Sequence, residues 1–215
     1  DGQIRHSCFY HKCITKTNRL FLFIIYLLTL IHLIYVCVLV VLVYNKQDLE
    51  HLNKVLDYYP DDDIKIIEGG KTRHESVQKA LEYVQTDKVL IHDAARPYIT
   101  PKDIRSVIQC LNEFDACTLY HPVVDQIKWN GKTIPKMELR AVTTPQGFNE
   151  VALNYILLNP DYNAADELEI IENRNFRIGY VEESTPNPKI TYQSDLDNNN
   201  YRIGLSIDFH PFVSK

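Results

Sequence analysis

The sequence predicts an α/β fold, a doubly wound and mostly parallel sheet with a β-hairpin projecting from it. Three observations carry this. Short β-branched runs alternate with helix-period segments from about residue 38 to residue 197, as in successive strand–helix–strand units. One such run, Val89-Leu90-Ile91, leads straight into His92-Asp93-Ala94-Ala95-Arg96-Pro97, so polar groups collect where a strand stops. Asn130-Gly131 lies between two β-prone runs, a strong hairpin signal because both residue types accept positive φ.

The chain has 215 residues, room for one such domain with a tail. A formal net charge of -5 gives no overall drive toward nucleic acid, and no nucleic-acid partner is expected. Five cysteines without a Cys-x-x-Cys pair make a disulfide scaffold unexpected and fit a reducing compartment.

Residues 1–19 carry His6, Cys8, His11 and Cys13, metal-capable side chains without the paired spacing of a zinc site. Leu20 to Tyr44 is almost wholly apolar, with Lys12, Lys16 and Arg19 before it. Its length suits a membrane-spanning helix whose N-terminus lies in the cytoplasm. A competing reading divides it: Val38 to Tyr44 is β-branched and runs into the turn Asn45-Lys46-Gln47-Asp48, as a central parallel strand would.

Asp48 caps a helix carrying Leu49, Leu52, Val55 and Leu56. Tyr58 to Asp63 is a loop and Ile64 to Ile67 a strand. Gly69-Gly70 permits close backbone approach, and Thr72 with Glu75 forms a capping box for a helix through Val77, Ala80, Leu81 and Val84. A glycine turn at a helix N-terminus can receive phosphate or a polar ring. Asp93 then falls at the carboxyl edge of the sheet, where open α/β sheets bind ligands. Arg96 offers a planar fork for phosphate, and Pro97 ends the local structure. The pair points to a metal–phosphate site, with a surface ion pair as the alternative.

Thr100 caps the next helix, with Pro101 in its first position, through Leu111. Ala116 to Tyr120 is a strand. The hairpin that follows carries few core residues beyond Ile127 and Trp129; it suits an oligomerisation arm or an ordinary surface hairpin. Leu139 to Gly147 places the Thr143 and Thr144 hydroxyls at a strand end. Asn149 caps a helix through Leu153 and Ile156, and Asp166 to Glu172 is an acidic amphipathic helix with most charges facing solvent. Ile178 to Val181 is the last strand, Asn187-Pro188-Lys189-Ile190-Thr191 follows, and Ser194-Asp195-Leu196 starts a last turn of helix.

Five blocks together resemble the 2-C-methyl-D-erythritol 4-phosphate cytidylyltransferases of the non-mevalonate isoprenoid pathway. They are Gly69 to Val77, His92 to Pro97, Thr144-Pro145-Gln146-Gly147-Phe148, Asp166-Glu167 and Asn187 to Tyr192, in family order over roughly residues 38–197. The resemblance implies a Rossmann-like, nucleotidyltransferase-type sheet that joins CTP to methylerythritol phosphate and releases pyrophosphate. It implies catalytic roles for Asp93, Arg96 and Lys189: Asp93 holds Mg²⁺, Arg96 grips the substrate phosphate and Lys189 stabilises developing charge. It further implies nucleotide contacts from Gly70, Ser76, Asp93 and Ala94, and substrate contacts from Arg96, Thr144, Lys136 and Asp125. The hairpin resembles the arm that crosses between subunits, so a homodimer is implied, in the cytoplasm.

The chain also departs from the family. Residues 1–37 contain no Ala/Gly-rich loop with its Arg and Pro-Lys pair, Gln126 and Ala165 stand where Thr is usual, and Lys136 stands where Arg is usual. Lys136 keeps the charge but not the fork. Losing one oxyanion-type donor typically costs ~10²–10³ in rate, so a poor catalyst is expected, with an inactive, membrane-anchored nucleotide-binding module as the alternative. The expected organisation is an atypical leader at 1–37, a misread stretch in preference to a membrane anchor, then a cytidylyltransferase-like domain at 38–197 lacking its N-terminal glycine-rich loop, and at 198–215 a linker and the start of a second domain. Tyr201 to Phe212 resembles the opening strand of methylerythritol cyclodiphosphate synthase. There Asp208 and His210, on one face of a strand, would ligate Zn²⁺ or Mn²⁺ in a longer bifunctional protein.

Overall fold

Runs of Val, Ile and Leu that are apolar on both faces build the centre of a single sheet. The structure is a computed structural model that describes residues 6–11, 39–56, 64–192 and 195. Strands β1 (His6–His11), β2 (Leu39–Tyr44), β3 (Ile64–Glu68), β4 (Lys88–Asp93), β5 (Ala116–Pro122), β8 (Arg140–Asn149) and β9 (Ile178–Glu182) form a seven-stranded sheet in the order β3-β2-β1-β4-β8-β5-β9. Within it β1–β2, β1–β4, β2–β3 and β5–β9 pair in parallel, while β8 runs antiparallel to both β4 and β5. The helices are α1 (Leu49–Leu56), α2 (Arg73–Leu81), α3 (Pro101–Cys110), α4 (Glu150–Leu158) and α5 (Glu167–Ile171).

Successive side chains of a strand point to opposite faces, and β2 shows the consequence. Val40 and Leu42 join a core with Leu52 of α1 and Ile104 and Val107 of α3. Val41 and Val43 join a second core with α2, α4 and α5, where Phe148, Ile156 and Ile171 are fully buried. Helices therefore cover both faces, the doubly wound arrangement expected from the alternation.

The sheet begins earlier than expected. β1 comes from the stretch set aside as an atypical leader, and it pairs with β2 on one side and β4 on the other. The physical reason is that β2 and β4, both apolar on two faces, each need a neighbour across the middle of the sheet. The second half of the long apolar run is β2, with Val41 fully buried, so those residues belong to the sheet. Its first half, the linker near residue 198, and Asp208 with His210 lie outside the described residues. Among the described residues no helix is long and apolar enough to cross a membrane.

The hairpin forms as its Asn-Gly pair predicts. β6 (Lys128–Trp129) pairs antiparallel with β7 (Lys132–Thr133), and the turn residues Asn130 and Gly131 have φ of 48° and 76°. Both positive angles match the tight turn that suits strand twist. Trp129 is 68% exposed and Ile127 38% exposed, so neither is a core residue. Cysteine spacing gives no reason to expect a pair, yet the sulfurs of Cys110 at the end of α3 and Cys117 in β5 face one another, with Cα atoms 6.3 Å apart. The short connection that packs α3 back over β5 brings them together.

Phe148 lies at the centre of one core with no exposed surface. Replacing it by Ala leaves a cavity as well as removing apolar contacts, so Phe148→Ala is expected to lower stability by about 3–5 kcal/mol in urea unfolding.

Candidate active site

β4 is buried along its length, and its last residue, Asp93, has a side chain only 12% exposed. Burial pushes a carboxylate toward its neutral form. The Lys189 hydrogen bond and charge, with the Arg73 charge, outweigh that push and hold the Asp93 pKa below its ordinary value. Lys189 Nζ lies 2.9 Å from Asp93 Oδ2, and Arg73 Nε lies 3.8 Å from Oδ1. Arg73 also donates from Nη1 to Glu167 Oε1 at 2.8 Å, and Glu167 is fully buried. Burial disfavours the Arg73 charge, but Glu167 and Asp93 together raise its pKa above the ordinary value.

Beneath Asp93 runs a hydrogen-bonded chain. The Asp93 N–H donates to Thr144 Oγ1 at 3.1 Å, Thr144 Oγ1 is 3.1 Å from His92 Nδ1, and His92 Nε2 is 3.0 Å from the Arg96 carbonyl. A carbonyl only accepts, so Nε2 carries the proton and Nδ1 accepts from the Thr144 hydroxyl. Burial lowers the His92 pKa to about 4, which supplies the neutral imidazole that this pattern requires. β8 brings Thr144 here through a bulge: its pairing with β5 shifts register between Thr118 and Leu119, at the two residues Thr144 and Pro145. Pro145 has no N–H to give to a ladder, and bulges are where a strand tolerates that.

Lys189 reaches Asp93 because the segment after β9 is tied to the turn after β4. The Ser184 N–H donates to the buried Asp103 carboxylate, Asn187 Oδ1 accepts from the Tyr98 N–H, the Asn187 carbonyl accepts from Arg96 Nη1, and the Ile190 N–H donates to the Ala95 carbonyl. Burial lowers the Arg96 pKa, with Asp93 and Glu183 opposing. On the other side of the site, the capping box of α2 forms as predicted at Thr72, whose Oγ1 accepts from the Glu75 N–H. Glu75 Oε2 accepts from the Lys71 N–H, one residue earlier than the box prescribes. Gly70 donates to Ser76 Oγ at 2.9 Å, and a Cβ at Gly70 would collide with Glu75, so this turn needs glycine.

The sequence-predicted residues thus divide. Asp93, Lys189, Arg96 and Thr144 meet at the end of β4, and Ala94, 5% exposed, lies in the turn beside them. Gly70 and Ser76 form their own hydrogen-bonded turn, joined to Asp93 through Arg73 at the start of α2. Thr144 lies in the middle of β8 and not at a strand end, and its hydroxyl bridges Asp93 and His92. Asp125 and Lys136 lie on the exposed arm, where Lys136 Nζ donates to the Val124 carbonyl. The sequence by itself gives no individual role to Arg73, His92, Glu167 or Asn187. The charges of Asp166 to Glu172 were expected to face solvent, yet Glu167 is buried against Arg73, and Asp166 accepts from Gln146 Nε2 at 2.7 Å. The available signal was the presence of these residues inside the matching blocks, but pairing across 94 residues has no local signature. A separate groove of about 450 Å³ at edge strand β3, lined by Lys65, Glu68, Lys79 and Tyr83 among others, shares no residue with this cluster.

His92 gives the site an acid signature. Its folded pKa of about 4 lies below the ordinary 6.5, so its contribution to stability is complete above pH 6.5 and lost as pH falls toward 4. The expected loss is on the order of 3 kcal/mol. Asp93 is held below its ordinary 3.8, so its contribution is complete above pH 3.8 and is lost only as pH falls further. Denaturant titrations at several pH values should show this slope in the parent and a flattened one in His92→Asn.

A family model described as 2-C-methyl-D-erythritol 4-phosphate cytidylyltransferase matches residues 26–203. The 2-C-methyl-D-erythritol 4-phosphate cytidylyltransferase of Bacillus mycoides (strain KBAB4) is 30% identical over 170 residues, which are 74% of this chain and 75% of that protein. The bifunctional enzyme IspD/IspF of Ruegeria sp. (strain TM1040) is 30% identical over 182 residues, 80% of this chain and 47% of that protein. The solved 4-diphosphocytidyl-2C-methyl-D-erythritol synthase from Anaerococcus prevotii DSM 20548 superposes with a TM-score of 0.78 at 20% identity, covering 92% of this chain and 96% of that one, which shows the shared fold. With its five ordered blocks, its sheet and the grouping at Asp93, the chain belongs to the 2-C-methyl-D-erythritol 4-phosphate cytidylyltransferase family.

Proposed function

We infer that the chain transfers CMP from CTP to 2-C-methyl-D-erythritol 4-phosphate. An oxygen of the acceptor phosphate attacks the α-phosphorus of CTP, the bond from that phosphorus to the bridging β-phosphate oxygen breaks, and pyrophosphate leaves. The observation that supports this best is the ionised Asp93 at the carboxyl end of β4, flanked by Lys189 and Arg73. Phosphoryl transfer depends on positioning and charge neutralisation more than on covalent participation.

Among the described residues no group of three or more His, Cys, Asp or Glu side chains could hold a metal. Mg²⁺ usually takes one or two carboxylates and completes its shell with phosphates and water. Asp93 alone therefore fits as the protein's ligand to a Mg²⁺ that neutralises phosphate charge. Lys189 would neutralise charge on the transferring group, and Arg96 would fix the acceptor phosphate. Gly70, Ser76 and Ala94 would seat the nucleotide. Thr144 would act through Asp93, whose backbone it holds. Asp125 and Lys136 project on the arm, where they would complete the site of a second copy in a homodimer. We place the enzyme in the cytoplasm, as a portion of a bifunctional protein whose second domain uses Asp208 and His210 for Zn²⁺ or Mn²⁺.

Pyrophosphate release from CTP, methylerythritol phosphate and Mg²⁺ tests this reading. Slow but acceptor-dependent release is expected, and Asp93→Ala should reduce it by a further ~10²-fold or more. No release above the Asp93→Ala background would overturn it.

A further inference from the structure

Two cations meet Asp93, and they are held differently. Arg73 is fixed: Nη1 is bonded at 2.8 Å to the fully buried Glu167, and Nε stands off Asp93 Oδ1 at 3.8 Å. Lys189 touches Oδ2 at 2.9 Å with a side chain 45% exposed. Its backbone is tied on both sides, through Asn187 to Arg96 and Tyr98 and through Ile190 to Ala95. The root of the side chain is therefore set, and only the four-carbon stem is free to swing. The ammonium occupies the carboxylate oxygen that a divalent cation would also seek, and two cations on one oxygen repel.

We propose that Lys189 is an exchangeable counterion of Asp93. Its ammonium holds Oδ2 when the site lacks ligands, yields that oxygen to the divalent cation that accompanies the nucleotide, and is then free to meet phosphate. Arg73, anchored by Glu167, stays beside Asp93 throughout. This inference rests on the metal role given to Asp93 above. It requires Lys189 to compete with the metal, whereas a lysine that only braces the fold would leave metal affinity unchanged or lower it.

Electron paramagnetic resonance of Mn²⁺ binding to the whole chain, with CTP and without acceptor, separates these outcomes. Lys189→Gln is expected to bind Mn²⁺ about fivefold more tightly than the parent, the upper range for a partly exposed ion pair, and Lys189→Arg to stay near the parent. Thermal unfolding checks that each variant is folded, as an exposed position should permit. Parent-like or weaker Mn²⁺ binding in Lys189→Gln, with binding lost in Asp93→Asn, overturns the exchange and leaves the cytidylyltransferase reading intact. Binding unaffected by Asp93→Asn, or absent from the parent and all variants, overturns both.

Discussion

A carboxylate buried at the end of a strand stays ionised only where cations meet it, and much of this molecule brings cations to Asp93. Lys189 lies 96 residues further along the chain, and Arg73 is fixed by Glu167 across 94 residues. Neither contact could form without the sheet order that lays β4 beside β8 and carries the segment after β9 back over the turn after β4. The neutral His92–Thr144 pair beneath adds hydrogen bonds without competing for the positive charge. The result is a preorganised electrostatic site, the kind that stabilises charge developing on phosphate.

The antiparallel strand β8 is the feature that departs most from a purely parallel sheet. It crosses between β4 and β5 and contributes to the site from its bulged middle, where Thr144 supports Asp93 and Gln146 holds Asp166 at the start of α5. One strand thereby ties the end of β4 to the short helix that carries Glu167. A parallel connection would need a long crossover to reach the same place.

The groups around the carboxylate are held to different degrees. Arg73 is half-buried and His92 buried, each with partners on two sides, whereas Lys189 is tied at its backbone but open along its stem. Such a division suits chemistry in which one cation maintains a charged ligand and another follows the substrate. The arm, with Trp129 and Met137 exposed and a ladder of two residues on each side, is the part of the described chain least explained by the monomer's own packing.

Local pattern was sufficient for the strand–helix alternation, the Asn-Gly hairpin, the Thr72, Thr100 and Asn149 caps and the placement of Asp93 at a strand end, because each depends on residues within a few positions of one another. The ordered blocks likewise identified the family and most of the residues that gather at Asp93. Pattern failed where partners are distant. The strand at His6–His11 lacks a distinctive period, and it is a strand because β2 and β4 flank it. Glu167 reads as one solvated acid among several until α5 packs it against Arg73. Thr144 reads as a hydroxyl at a strand end until the bulge in β8 turns it onto His92. Spacing along the chain encodes periodicity and turns, but charge pairing and burial depend on which elements become neighbours, and that is fixed only when the sheet has formed.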